Sequence, residues 1–490
     1  MLLINLLKNL EYKVLENVDI SNLEVNKVEI NSKKIAMNDV FIAIKGFEDD
    51  GNQYIEEAVN NGAKYIVVEE DSSYDILPEV IYIVVKNTRI ACSVMASNYY
   101  GNPAEKLKMI AVTGTKGKTT TTYMIRNILE ASGKSVGMIG SVYITYANRK
   151  FDSERTCPDS LTLQKILCDM VNCGIQYCVM EVSSHAIVLE RVHGIKFMIG
   201  VFTNLSQDHL DFHKTFDNYF DAKAKLFENV EYALINSDDI YAPKLIKRLN
   251  CKYATYGLDN GSNLTAVDIR VNNKYVEFKM FINKMLQRFV VNIPGRYTVY
   301  NALAAIGTCS LLSCQIDAIE KGLMETVVPG RSEIVEINKP FTVMIDFAHN
   351  EASLENIIMA TKKYCRGRVI VVFGCGGNRD KEKREKMGEI AGKLADFVVI
   401  TTDNPRQERP KEILAQIEEG TKKTKGIYKV IENRKEAIKF AMKIAWRNDV
   451  IILAGKGHET TQELRNKTIH FDERQIVKEI AEKMPDKDVL

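Results

Sequence analysis

The sequence predicts an α/β protein of three domains: a smaller N-terminal α/β domain over 1–108, a central parallel-sheet domain over 109–330 and a C-terminal α/β domain over 331–490. Three observations predict it. At 490 residues the chain is longer than one hydrophobic core ordinarily organises. Short apolar or β-branched runs alternate with helical patterns, as expected for parallel strands buried on both faces. Most of these runs end in glycine or polar residues, and ligands of open α/β sheets gather at that carboxyl edge.

The elements follow in order. "MLLINLLKNLEYKV" places Leu3, Leu6, Leu7 and Leu10 on one face of an amphipathic helix and continues with charge, unlike a signal peptide. "DVFIAIKG" and "AKYIVVEE" read as strands around the helical "YIEEAVNNG". The central block opens with the strand Met109–Val112 and continues through the strands of "YCVMEVSSH", "FMIGVFTNL" and "YALINSDD". "NIPGRYTVYNALAAIGTCSLL" reads as a turn followed by an apolar helix. The third block carries "FTVMIDFAH", "RVIVVFGCGG", "DFVVITTDNP" and "DVIILAGKG", a Rossmann-like set of strands with polar ends.

Composition narrows the function classes. Hydrophobic content of 46% and charged content of 27% are those of a globular protein. A formal net charge of +2 offers no general attraction to nucleic acid or an anionic membrane. No apolar run approaches the roughly 18 residues of a membrane span. The ten cysteines form no C-x-x-C pair, and Cys168, Cys173 and Cys178 are spaced for neither a helical metal site nor a zinc knuckle. A cytoplasmic monomer with reduced thiols is expected, with no nucleic-acid partner and no membrane span.

The chemistry begins at "MIAVTGTKGKTTTTYMI". The common phosphate-loop pattern places four residues between its first glycine and its Gly-Lys pair. Here only Thr115 and Lys116 separate Gly114 from Gly117-Lys118-Thr119-Thr120. A strand precedes the loop and a helical pattern over Thr119–Ala131 follows, so backbone N–H groups and a helix N-terminus face an anion. Lys118 can reach terminal phosphates, and the Thr119 hydroxyl can hold Mg²⁺. Glu181, just beyond an apolar strand, reads either as a magnesium ligand facing this loop or as a solvated strand-end charge. Asn204, Asp208, His209 and Asp211 cluster at the end of the next strand.

The short loop G-T-K-G-K-T-T, "MEVSSHAIVLERVHG" and "VFTNLSQDHLDFH" together resemble the Mur ligase family, ATP-dependent enzymes that join amino acids to nucleotide-linked muropeptides. The central domain is then a P-loop-type ATPase domain. The resemblance implies that Glu181 and His209 bind magnesium, with two Mg²⁺ ions in all. In "FDAKAKLFE" it implies that Lys223 is carbamylated to N6-carboxylysine, a further oxygen ligand; without the resemblance Lys223 and Lys225 read as exposed helix lysines. "SERTCPDSLTLQ" is similar to the family's substrate-contacting T-T-P-E-S, with Cys157 in place of the second threonine. Thr156, Ser183 and Arg191 are the remaining substrate contacts implied there. Ser32 is a uridine-side contact within N-S-K, where the family has D-S-R.

Asn301 matches a residue near adenine and otherwise reads as a polar residue at a helix N-terminus. Arg331, Asp346 and His349 match nucleotide contacts of a third domain expected to close over ATP and shield an acyl phosphate from water. "FGCGGNRDKEKREKMGEIA", "TTDNPRQERP" and "AGKGHETTQ" resemble one branch, which adds the third amino acid of the cell-wall peptide. There D-N-P-R accompanies meso-diaminopimelate. Arg406 can pair bidentately with the distal carboxylate. Asp403 and Glu459 can receive ammonium groups and Arg379 a second carboxylate, with Asn404 and Gly455 in the same site.

The implied reaction joins the γ-carboxylate of D-Glu in UDP-MurNAc-L-Ala-D-Glu to a diamino acid through an acyl phosphate, as part of peptidoglycan biosynthesis. Three alternatives stay open: L-lysine as the amine, a different carboxylate as acceptor, and a nucleotide-binding regulatory protein without turnover.

Overall fold

The computed structural model describes residues 1–15, 18–46, 49–153, 155–259, 261–282 and 284–485. It divides into two compact units, Met1–Asn263 with Ala304–Gln315 and Leu264–Leu303 with Ile316–Leu490.

The first unit holds two sheets. In the N-terminal sheet the order is Tyr12–Val14, Ile81–Val85, Ala63–Glu69, Asp39–Ile42 and Val28–Glu29, parallel except at the Tyr12–Val14 edge. Leu3, Leu6 and Leu7 of the predicted first helix are buried in its core. The central sheet runs parallel through Lys252–Gly257, Val230–Asn236, Phe197–Phe202, Lys108–Thr113, Tyr177–Glu181 and Val136–Ile139. Tyr143–Tyr146 and Arg149–Asp152 extend it antiparallel.

Lys108–Thr113 lies between Tyr177–Glu181 and Phe197–Phe202. The chain's path reverses direction across the sheet at this strand, and such a switch point opens a crevice at the carboxyl ends. The phosphate loop, Glu181 and the Thr203-Asn204 segment all start from these three ends.

The second unit carries a six-stranded sheet in the order Glu333–Val335, Thr342–Asp346, Val450–Ala454, Val369–Phe373, Phe397–Ile400 and Tyr428–Val430. Only the Glu333–Val335 edge is antiparallel. Side chains alternate between two cores: Val371 and Phe373 face one, Ile370 and Val372 the other. Burial on both faces explains the uninterrupted apolar runs of these strands. A hairpin of Thr461–Leu464 and Lys467–His470 follows.

Three antiparallel strands, Leu264–Val271, Val276–Ile282 and Met285–Val291, also belong to this unit. They lack such runs because only alternate residues, including Val276, Phe278 and Met280, are buried. Among the described residues no helix is long and apolar enough to cross a membrane.

Candidate active site

The strand Lys108–Thr113 passes through a tight turn into the helix Lys118–Ala131, with Gly114 at φ 148° and Gly117 at φ 85°. A side chain at Gly114 would collide with the Thr203 hydroxyl, so glycine is required there. The neighbouring strand end braces the loop. Thr115 N–H donates to the Asn204 carbonyl at 2.8 Å and Lys116 N–H to Asn204 Oδ1 at 3.0 Å. Lys118 Nζ folds along the loop and donates to the carbonyls of Gly114 at 2.9 Å and Thr115 at 3.0 Å.

A second lysine meets the same carbonyl. Lys223, on the helix Phe216–Ala224, is buried and donates to Gly114 O at 2.9 Å. Burial, then the adjacent Lys118 charge, push its pKa well below 10.5, with Asp208 opposing. The reading of Lys223 as an exposed helix lysine is therefore corrected. Lys225 is the solvent-facing one, and it pairs with Glu190.

Glu181 is buried, which removes its reading as a solvated charge. Its Oε2 accepts from Thr119 Oγ1 and Ser141 Oγ, both at 3.0 Å, and its Oε1 from Ser141 N–H at 2.7 Å. Thr156 Oγ1 lies 3.1 Å from Ser141 Oγ, so a substrate candidate is linked to Thr119 of the phosphate loop through Ser141 and Glu181.

His209 adopts a left-handed conformation, φ 52°, ahead of the short helix Leu210–His213. Its ring lies 4.8 Å from that of His185 and 6.4 Å from that of Tyr219, whose hydroxyl is 3.0 Å from Thr115 Oγ1. His213 Nε2 pairs with Ser184 Oγ at 2.9 Å, and burial, then His185, hold its pKa down to about 4. Among the described residues no three His, Cys, Asp or Glu side chains converge on one point. Thr119 and Glu181 nevertheless supply hard oxygen donors at the phosphate loop, the donor type that Mg²⁺ prefers alongside phosphate.

The other substrate candidates are more dispersed. Ser183 caps the helix Ser184–Val188 through Ala186 N–H at 3.1 Å. Arg191 Nη1 donates to the Cys157 carbonyl at 2.9 Å. The Cys157 thiol is buried, which pushes its pKa up to about 12, so it stays protonated. Ser32 is buried and donates its hydroxyl to Glu57.

In the second unit Asn301 is buried within the helix Tyr297–Leu311, in its second turn and not at its N-terminus. Asp346 ends its strand, accepting Ser332 N–H at 2.8 Å and Ala348 N–H at 3.0 Å; desolvation raises its pKa, against the pull of Arg331. The Arg331 guanidinium stacks 4.9 Å from the centre of the Phe347 ring. His349 Nδ1 pairs with the Phe347 carbonyl at 2.9 Å.

The amino-acid candidates meet at the carboxyl ends of the neighbouring strands Val369–Phe373, Phe397–Ile400 and Val450–Ala454. Asn404 is nearly buried. Its Nδ2 donates to Glu459 Oε2 at 2.8 Å and its Oδ1 accepts from the fully buried Lys456 at 3.1 Å. Lys456 also reaches Glu459 Oε2 at 2.9 Å. Gly455, at φ 113°, faces Asp403, and a Cβ there would sit 2.6 Å from Asp403 Oδ2. Arg406 donates from Nε to Glu463 Oε2 at 2.7 Å and from Nη1 to the Gly377 carbonyl at 3.0 Å. Arg379 is exposed on the adjoining loop.

The chain matches the Mur ligase family catalytic domain over 24–100, the Mur ligase middle domain over 112–309 and the Mur ligase glutamate ligase domain over 330–457. It is 44% identical over 489 residues to the UDP-N-acetylmuramoyl-L-alanyl-D-glutamate–2,6-diaminopimelate ligase of Clostridium perfringens, covering 98% of this chain and all of that one. The chain belongs to the Mur ligase family. A ligase of the same name from Caldanaerobacter subterraneus is 46% identical to this Mur ligase over 483 residues, covering 98% of this chain and 99% of the relative. A solved structure of a ligase with that name superposes at a TM-score of 0.71 with 26% identity, covering 95% and 96% of the two chains.

Sequence reasoning missed Ser141, Tyr219, Lys456 and Glu463. Lys456 stood in plain view inside "AGKGHE", but its burial has no sequence signal. Ser141 reaches the site because the strand before it pairs with that of Glu181, and Glu463 because its hairpin packs on the Asp403–Arg406 loop.

Proposed function

We propose that this Mur ligase uses ATP to join meso-diaminopimelate to the γ-carboxylate of D-Glu in UDP-MurNAc-L-Ala-D-Glu. The observation that carries this reading is the convergence of Asp403, Asn404, Arg406 and Glu459 at one sheet edge, a mixture of cationic and anionic groups that suits a zwitterionic amine. The full-length relatives named for this activity support it. We assign uridine-nucleotide binding to 1–108, ATP binding to 109–330 and amino-acid binding to 331–490. A cytoplasmic location suits the ten free thiols.

In the proposed reaction the substrate carboxylate attacks the γ-phosphorus of ATP, releasing ADP and giving an acyl phosphate. The amine then attacks the acyl carbon, loses a proton, and the tetrahedral intermediate expels phosphate. The turn from Gly114 to Thr120 and the N-terminus of the helix behind it cradle the phosphates. Lys118 exchanges its loop carbonyls for phosphate oxygens and offsets their charge. Arg331, Asp346, His349 and Asn301 are assigned to the nucleotide, and Ser32, Thr156, Ser183, Arg191 and the Cys157 segment to the muropeptide.

Thr119, Glu181, His209 and a carbamylated Lys223 would hold two Mg²⁺ ions, which neutralise charge on the transferring phosphoryl group. The Lys223 environment suits carbamylation: a neutral amine nitrogen adds to CO₂ and loses a proton, leaving an anionic oxygen donor.

The test is phosphate release from ATP and Mg²⁺ with UDP-MurNAc-L-Ala-D-Glu, comparing meso-diaminopimelate with L-lysine. Turnover with diaminopimelate alone is expected. Turnover with lysine discards the specificity reading, and silence with both discards the acceptor.

A further inference from the structure

Arg406 is held by one residue in two ways. Its backbone lies in the left-handed region, φ 49°, which an arginine adopts at a cost. The Arg406 N–H donates to the Glu463 carbonyl at 3.2 Å, and its Nε donates to the Glu463 carboxylate at 2.7 Å. Glu463 N–H in turn donates to Asn404 Oδ1 at 3.1 Å. Glu463 sits on the strand Thr461–Leu464, and its neighbour Gln462 donates to the Asp403 carbonyl at 2.7 Å. The hairpin thus clasps the Asp403–Arg406 loop from outside.

A guanidinium has five N–H donors in a rigid fork. Glu463 occupies Nε–H and the Gly377 carbonyl takes one Nη1 proton. Among the described residues both Nη2 protons and the second on Nη1 are left, so the terminal end of the fork, and not its Nε edge, is the part presented to a ligand. We propose that Glu463 is a positioning residue for the incoming diamino acid: it locks the Nε edge of Arg406 so that the Nη1/Nη2 end receives the distal carboxylate. This rests on the reading of Arg406 as the distal-carboxylate receptor. Glu463 is a specificity determinant at second hand, because an amine without that carboxylate gains nothing from the alignment.

The experiment uses the full chain with ATP, Mg²⁺, UDP-MurNAc-L-Ala-D-Glu and either meso-diaminopimelate or L-lysine. The variants are Glu463→Gln, Glu463→Asp, Glu463→Ala and, as control, Arg406→Ala. Glutamine keeps an acceptor at the same reach, whereas aspartate keeps the charge but is one methylene too short. Asp and Ala are expected to raise KM for diaminopimelate about five- to tenfold. Gln should stay within about twofold of the parent, and KM for ATP and for the muropeptide should hold in all three. The preference for diaminopimelate over lysine, as a ratio of kcat/KM, should fall in step with KM. Should the alanine variant fold poorly, the Asp and Gln pair carries the comparison.

If Arg406→Ala raises KM for diaminopimelate while Glu463→Asp and Glu463→Ala do not, Glu463 has no positioning role. A parallel rise in all three KM values would mark a general loosening of the hairpin and overturn it too. Gln as damaging as Asp would show that an acceptor at the right reach does not suffice, and would overturn the geometric reading. An unchanged KM in Arg406→Ala would remove the underlying reading of Arg406 itself.

Discussion

A lysine amine adds to CO₂ only when neutral, and burial beside Lys118 lowers the Lys223 pKa, which favours that form. Lys225, two positions on, has the same intrinsic chemistry and stays solvated and paired with Glu190. Lys223→Ala is expected to lower kcat at least a hundredfold, on the order of 3 kcal/mol of transition-state stabilisation. Short carboxylic acids should restore part of it by standing in for the oxygens of the proposed carbamate. Absence of any rescue in a folded variant would leave Lys223 without a role as an oxygen ligand. At Gly114 two constraints coincide, a left-handed φ of 148° and a neighbouring Thr203 hydroxyl where a Cβ would go. Gly114→Ala should therefore abolish binding of a fluorescent ATP analogue and lower stability by about 1–3 kcal/mol in denaturant unfolding.

At the scale of elements, one half-buried ion pair ties two loops of the candidate site to a helix. Arg384, on the helix Glu382–Leu394, is fully buried and makes paired bonds of 2.8 and 2.9 Å to Glu408. It also reaches the Gly376 carbonyl at 3.2 Å, while Glu408 accepts Asn378 N–H at 2.6 Å. The loop bearing Arg379 and the loop bearing Arg406 are thereby joined. The bond from Arg384 lowers the Glu408 pKa from 4.5 to about 2. The folded form therefore releases the Glu408 proton more readily than the unfolded chain. Its stabilising contribution is complete above pH 4.5 and is lost as pH falls toward about 2. Glu408→Ala leaves a buried guanidinium without its carboxylate. It should cost about 3 kcal/mol at pH 7 in urea unfolding and flatten the acid limb of the stability curve.

For the whole molecule, the stabilising cores are apolar and all ten cysteines are free thiols. Reducing agents should leave the thermal midpoint unchanged; a shift would reveal a disulfide that the structure does not contain. Chelating Mg²⁺ should stop phosphate release while leaving far-UV circular dichroism and the nucleotide-free thermal midpoint intact, because no metal site underlies the described cores. ATP with Mg²⁺ should raise that midpoint by mass action, about 2.7 kcal/mol of stabilisation at a hundredfold excess over Kd.

Much of the site was legible because it sits where local pattern and topology coincide. The strand Lys108–Thr113 is buried along nearly its whole length, so its apolar run marked it, and the glycines after it could only be a turn. The same logic located Asp403–Arg406 and Gly455–Glu459 at strand ends. Residues whose roles depend on distant neighbours were not legible. Lys223 reads as a surface lysine until the phosphate loop packs on it, and Ser141 is unremarkable until the strand Val136–Ile139 before it lies beside that of Glu181. The half-buried strands over 264–291 escaped because alternation over a solvated sheet is a weaker signal than a continuous apolar run.

By itself the sequence determined the α/β class, the order of the strands whose ends carry the candidate site, and the residue types of each loop, because these depend on side-chain type and short-range periodicity. Only the tertiary structure decided which lysine is buried against the phosphate loop, that Glu181 is buried among hydroxyls, and that Glu463 bonds the Nε edge of Arg406. Desolvation and hydrogen-bond geometry depend on residues tens of positions apart in the chain, and only folding brings those together.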